Sequence, residues 1–137
     1  MAKNVGTTNY EWQPTSRKDL ARCVKWCKEY LRLQSWRILL YSSARMPKEV
    51  KMDDREEYEG ICKPDLDVLT SHIWIPLPLL VEDNRNPLEA LIHEMLHTHH
   101  VAYRIGVDDD ETSVRIISPL LYEKYCGDSG IETAKKK

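Results

Sequence analysis

His93-Glu94-Met95-Leu96-His97 is the part of this sequence whose residue types and spacing could do chemistry. Histidines four apart on a helix share one face, one turn apart, so two imidazole nitrogens can approach a single ion. Zinc accepts such nitrogens in a tetrahedral shell. Glu94 follows the first histidine directly. From there its carboxylate can reach a water on the metal without being a ligand itself. Zinc lowers the pKa of that water toward roughly 7, and a nearby carboxylate can take its proton as it attacks a peptide carbonyl. The same letters also arise by chance on exposed polar helices. Here Leu91, Ile92, Met95 and Leu96 surround them, and burying imidazoles and a carboxylate among apolar residues is costly without a metal or other partners.

Such a site needs a third protein ligand. No histidine follows His100, and the acidic candidates at the start of the next element are Asp108, Asp109, Asp110 and Glu111. His100 lies seven residues after His93 and near the same face. Two turns separate them by roughly 10.5 Å along the axis, too far for bonds of about 2.1 Å to one zinc. His100 is therefore expected at the surface, behind the ligands or against substrate. His99 points elsewhere and is expected to be structural or solvated. His72 is a further candidate for a transition-state donor, with an ordinary strand histidine as the plainer alternative.

The elements that must position these residues are marked to different degrees. Asn86 is a natural N-cap and Pro87 a favoured first residue for the motif helix, which should run to about Ile105 before Gly106 stops it. The aspartates then open a final helix from about Asp109 to Tyr125, in which Pro119 should cause a kink or a local adjustment. Nearer the start, Ser16 and Asp19 cap a helix from Arg17 to about Leu33, with Leu20, Val24, Cys27 and Leu31 at helical spacing. Ser35 to Ser42, Glu57 to Lys63 and Leu69 to Ile75 read as strands. Met46 to Asp54 reads as a loop, Pro64-Asp65 as a turn, and Pro76 to Asn86 as another loop. The expected fold is α+β: an N-terminal helix, a small, mainly antiparallel sheet of about three strands, the motif helix and a C-terminal helix. On the third strand, His72 and Trp74 share one face, with Ile73 and Ile75 on the other. This strand is expected to be the sheet edge beside the metal, where an extended peptide could pair. Core packing is the competing expectation for Trp74.

Composition sets limits on function. A chain of 137 residues, 42% hydrophobic and 31% charged, suits one soluble folded domain, placed at residues 15–127. Residues 1–14 are expected to be a flexible leader and 128–137 a flexible basic tail ending in Lys135, Lys136 and Lys137. A formal net charge of -2 provides no general basic field, so no nucleic-acid partner is expected. No apolar run approaches a membrane span. Cys23, Cys27, Cys62 and Cys126 form no CxxC pair, and the polar N-terminus has no apolar stretch of signal-peptide length. The expectation is a reducing, cytoplasmic compartment with buried free thiols.

The stretch Leu91 to His97, followed by Gly106-Val107-Asp108-Asp109-Asp110-Glu111-Thr112-Ser113-Val114, resembles the small gluzincins, in particular the phage-type and ImmA/IrrE-like minimal metallopeptidases. The resemblance covers the C-terminal half and, more loosely, the strands. It implies a zincin-like fold and one zinc ion per chain, with His93 and His97 as ligands, Glu94 as the base and Glu111 as the third ligand. A glutamate is long enough to cross between helices packed about 8–10 Å apart. Asp110 stays a rival, since on an ideal wheel it points more directly toward the apolar face of Val114, Ile117 and Leu121. Asp108 with Glu111 also has the spacing of a capping box. The chain departs from typical family members in the short interval from His97 to Glu111 and in lacking a Glu-Ala-rich second helix. The implied function is a zinc-dependent endopeptidase acting on a protein or peptide, with Trp74, His72 and His100 as possible substrate contacts. The alternative is a zinc-containing regulatory or phage anti-host binding protein with little or no hydrolysis.

Overall fold

A computed structural model describes residues 10–11, 15–50, 60–105, 110–130 and 134–135. Helix α1 (Arg17–Tyr30) starts at the expected capping box: Ser16 Oγ accepts from the Asp19 amide, and Asp19 Oδ2 accepts from the Ser16 amide at 2.9 Å. Leu20, Cys23 and Cys27, three and four residues apart, form its buried stripe. The helix ends before Leu33 because Arg32 turns left-handed (φ 59), which lets the Leu33 amide return to the Lys28 carbonyl.

The sheet is mixed, which corrects the mainly antiparallel expectation. Its order is β2 (Arg37–Tyr41), β4 (Thr70–Trp74), β3 (Ile61–Asp65). β2 runs parallel to β4, with Leu39 opposite His72, and β3 runs antiparallel to β4, with Lys63 also opposite His72. The long connection between β2 and β3, which includes a 3-10 turn at Lys48–Val50, is what permits the parallel pair. The third strand is therefore the central one, and the edges fall to β2 and β3. Pro64 sits in β3 rather than in a turn, opposite Ser71; an edge strand tolerates a proline because its missing donor interrupts little of the ladder. The turn comes later, where Asp65 Oδ1 accepts from the Asp67 amide and Leu69 is left-handed (φ 50).

A short helix, α2 (Leu77–Glu82), occupies the segment expected to be a loop. Prolines at its cap and first turn do not oppose helix there, because those amides have no partner within the helix anyway. Helix α3 (Pro87–Ala102) is capped by Asn86, whose side chain accepts from the Leu88 and Glu89 amides at 3.0 and 3.3 Å. It stops earlier than expected. Arg104 takes the left-handed conformation (φ 54), and the Ile105 amide returns to the His100 carbonyl. Gly106, expected as the stop, lies outside the described residues. Helix α4 (Asp110–Ser129) continues through Pro119 and extends past Tyr125 into the stretch expected as tail. Tyr10–Glu11 and Ala134–Lys135 form a small antiparallel pair, β1 and β5. The rest of the expected leader and tail lies outside the described residues.

The main core joins α1, α3 and α4 to one face of the sheet through Leu20, Cys27, Ile73, Ile75, Leu91, Ile92, Met95, Val114 and Tyr122. The other sheet face has its own small cluster of Val50, Ile61 and Trp74. All four cysteines are free thiols. Among the described residues, no helix is long and apolar enough to cross a membrane.

Candidate metal centre

The site lies where α3 and α4 pack together. One face of α3 is buried in the core through Leu91, Ile92, Met95 and Leu96, which turns His93 and His97 toward the first turn of α4. His93 Nε2 and His97 Nε2 are 3.3 Å apart. Glu111 Oε1 lies 3.1 Å from His97 Nε2 and 3.3 Å from His93 Nε2. Four ligands at about 2.05 Å in a tetrahedron stand about 3.3 Å from one another. The three contributed atoms thus already have the spacing of three corners of a zinc shell. Among the described residues, His93, His97 and Glu111 form the group whose ligand atoms all lie within 4.8 Å of each other. The donors, two imidazole nitrogens and one carboxylate, could hold a divalent transition-metal ion.

Electrostatics favour the protonation states a metal requires. Burial pushes the His93 imidazole below its ordinary value, against the upward pull of Glu111, so it is neutral near pH 7. Burial raises the Glu111 carboxyl, but its bond to Arg115 and the two imidazoles together outweigh that and hold it low. Arg115 Nε donates to Glu111 Oε2 at 2.7 Å, fixing the carboxylate from behind as ligating carboxylates commonly are.

Glu94 is buried, and burial raises its carboxyl to about 8, with the charge of Glu111 adding to the effect. A bound cation would oppose that shift. Its carboxylate abuts Gly60, the residue that leads into β3. A β-carbon there would meet Glu94 Oε2 at 3.2 Å, Ile75 Cδ1 at 3.1 Å and the Trp74 carbonyl at 3.2 Å. Gly60 leaves the room that the Glu94 carboxylate occupies. Behind α3, Thr98 Oγ1 lies 2.8 Å from Ser71 Oγ and 3.0 Å from Cys62 Sγ. This polar contact fixes the rotation of α3 against β3 and β4.

The remaining sequence candidates are placed elsewhere. His72 and Trp74 lie on the sheet face turned away from α3. There His72 Nδ1 contacts Tyr41 Oη at 2.9 Å, and the Trp74 indole donates to the Ser43 carbonyl at 2.7 Å. The alternation of β4 accounts for this: Ser71 and Ile73 face α3, so their neighbours cannot. His100 is buried rather than at the surface, and it is not part of the ligand group. His99 is structural: its Nδ1 lies 3.2 Å from the Leu31 carbonyl, which can only accept, so that nitrogen carries the proton. Asp108 and Asp109 lie outside the described residues, as does the side chain of Asp110. Sequence reasoning missed Gly60, Thr98 and Arg115. Only Arg115 left a local signal, an acid and a base four apart on a helix.

No family model, curated protein or solved structure matches the chain.

Proposed function

We propose that the chain is a zinc-dependent peptide-bond hydrolase. The observation that carries this reading is the convergence of His93, His97 and Glu111 at 3.1–3.3 Å, with the Glu94 carboxylate on the next residue of the same helix. The histidine side chains are 19% and 20% exposed and Glu111 48%. Solvent therefore reaches the site, as a catalytic site with an open fourth position requires and a closed structural site does not. Zinc held there supplies Lewis acidity, polarising a carbonyl and acidifying a water. Glu94 takes the water's proton on its carboxylate and passes it to the leaving amide nitrogen. Gly60 and the contact of Thr98 with Ser71 and Cys62 hold that carboxylate in place. Arg115 keeps Glu111 aimed at the histidines. Among the described residues β3 has a strand neighbour on one side only, and it begins beside Glu94, so its outer edge suits an extended peptide.

Zinc analysis combined with a Glu94→Gln variant tests the reading. Both proteins should carry one zinc per chain, and the variant should lose hydrolysis of a peptide library by about 10²–10⁴-fold. Loss of zinc in that variant would make Glu94 a ligand and overturn the mechanism. A loaded chain that leaves the library uncut, with or without chelator, would be a zinc-containing binding protein instead.

A further inference from the structure

Arg115 stands one turn beyond Glu111 on α4, and its contact with Glu111 uses Nε alone. The oxygen it binds, Oε2, is itself 3.2 Å from His93 Nε2, so one carboxylate oxygen separates the guanidinium from the metal ligands. The side chain is 74% exposed. Among the described residues, no acceptor meets Nη1 or Nη2. A guanidinium is planar and rigid, so fixing Nε also fixes the direction of the other two nitrogens. What remains is an outward edge of N–H donors beside the metal centre, in the geometry that grips a carboxylate by two parallel hydrogen bonds. Charge favours the same ligand. Arg115 balances the charge of Glu111, and a divalent ion exceeds the charge of the Glu94 carboxylate, so these four groups together are positive.

Resting on the reading of the site as a zinc peptidase, we propose that the outer edge of Arg115 recognises a carboxylate of the substrate close to the scissile bond. A peptide offers that group from two sources, its C-terminus or an acidic side chain. The first would make the enzyme a carboxypeptidase, the second an endopeptidase selective for acidic residues. If Arg115 did no more than hold Glu111, ligand charge would not matter.

The test is calorimetric binding to the zinc-loaded full chain. The probes are succinyl hydroxamates in two matched pairs: coupled to alanine as free acid or amide, and coupled to glutamic acid amide or glutamine amide. The hydroxamate anchors on zinc, and each pair differs only in the carboxylate. In one pair, the acid should bind about tenfold more tightly, and which pair it is identifies the source. Arg115→Met should abolish the preference while the hydroxamate still binds. Arg115→Lys should keep only part of it, because an ammonium is a point charge without the fork. If Arg115→Met does not load zinc, the wild-type comparison decides alone. Equal binding within both pairs on loaded wild type, or a preference that survives Arg115→Met, overturns the proposal and leaves the zinc reading intact. A wild-type chain without zinc overturns both.

Discussion

Helix α3 carries two histidine pairs with different fates. His93 and His97 bring their Nε2 atoms within 3.3 Å of each other, facing Glu111. His99 and His100 have ring centroids 6.1 Å apart, and each goes its own way. His99 meets the Leu31 carbonyl, and Tyr103 Oη, one turn on, donates to the Arg32 carbonyl at 2.6 Å. Together they satisfy carbonyls left open at the end of α1. Adjacent residues on a helix diverge by about 100°, so neighbouring imidazoles cannot share one ion, whereas residues four apart can. A second element must then supply a carboxylate at the right height. The first turn of α4 does so for one pair, and nothing comparable among the described residues does so for the other. One pair is spaced so that it could hold an ion, and from the other His99 reaches the end of α1.

The largest effect expected from this contrast is on metal binding. His93→Ala or His97→Ala should weaken zinc affinity by more than about 100-fold, since even outer-shell partners of a ligand are worth 10–100-fold. His99→Ala and His100→Ala should leave zinc affinity close to wild type. Competition with a chromogenic chelator measures all four. A comparable loss in the His99 or His100 variant would mean that the two pairs are not functionally separate.

Thr98 lies between the pairs in sequence and on the buried side of the helix. Thr98→Val should cost about 1–3 kcal/mol of stability, because the buried hydroxyl of Ser71 and the half-buried thiol of Cys62 are left with one partner fewer. Zinc should still bind, and Thr98→Ser should recover most of the loss in a urea titration. Gly60→Ala should cost about 1–3 kcal/mol through crowding against Ile75 and the Trp74 carbonyl. Because the same methyl group also meets Glu94 Oε2, hydrolysis should fall in zinc-loaded Gly60→Ala but not in zinc-loaded Thr98→Ser. Equal activity in the two would remove Gly60 from the site.

The legibility of these features followed the range of the interactions that create them. The cap at Ser16 and Asp19, the cap at Asn86 and the spacing of His93 and His97 are local, and each is visible in a few consecutive residues. Glu111 is the favoured one of four neighbouring acids in the sequence, with Asp110 as its rival, because the final choice depends on how α4 meets α3. The parallel pairing of β2 with β4 depends on the long connection between β2 and β3, and the sequence of β4 is consistent with either an edge or a centre. That is why Trp74 could be read as an edge residue. Its alternation was legible, but the identity of the layer on each side was not. Gly60 looks like any loop glycine until Glu94 is placed beside it.

The smallest effect concerns pH, and it separates the pairs by their response to zinc. Burial lowers the pKa of both His93 and His99; a Leu31 carbonyl bond partly offsets this for His99. The unfolded chain therefore takes up these protons more readily than the folded one. Each histidine contributes stability that is present above its unfolded value, near 6.5, and lost as pH falls through the folded value. Without zinc, His93 and His99 should behave alike, and either His93→Gln or His99→Gln should flatten the fall in stability below about pH 6.5. On the proposed reading zinc breaks the symmetry, because it would need His93 neutral and compete with the proton there, while His99 stands outside the candidate ligand group. Saturating zinc should thus raise the stability of His99→Gln as much as that of wild type and should scarcely raise that of His93→Gln. Urea midpoints at several pH values, with zinc and with chelator, measure this. If zinc stabilises His93→Gln as fully as His99→Gln, then His93 is not a ligand, and the contrast between the two pairs is one of packing alone.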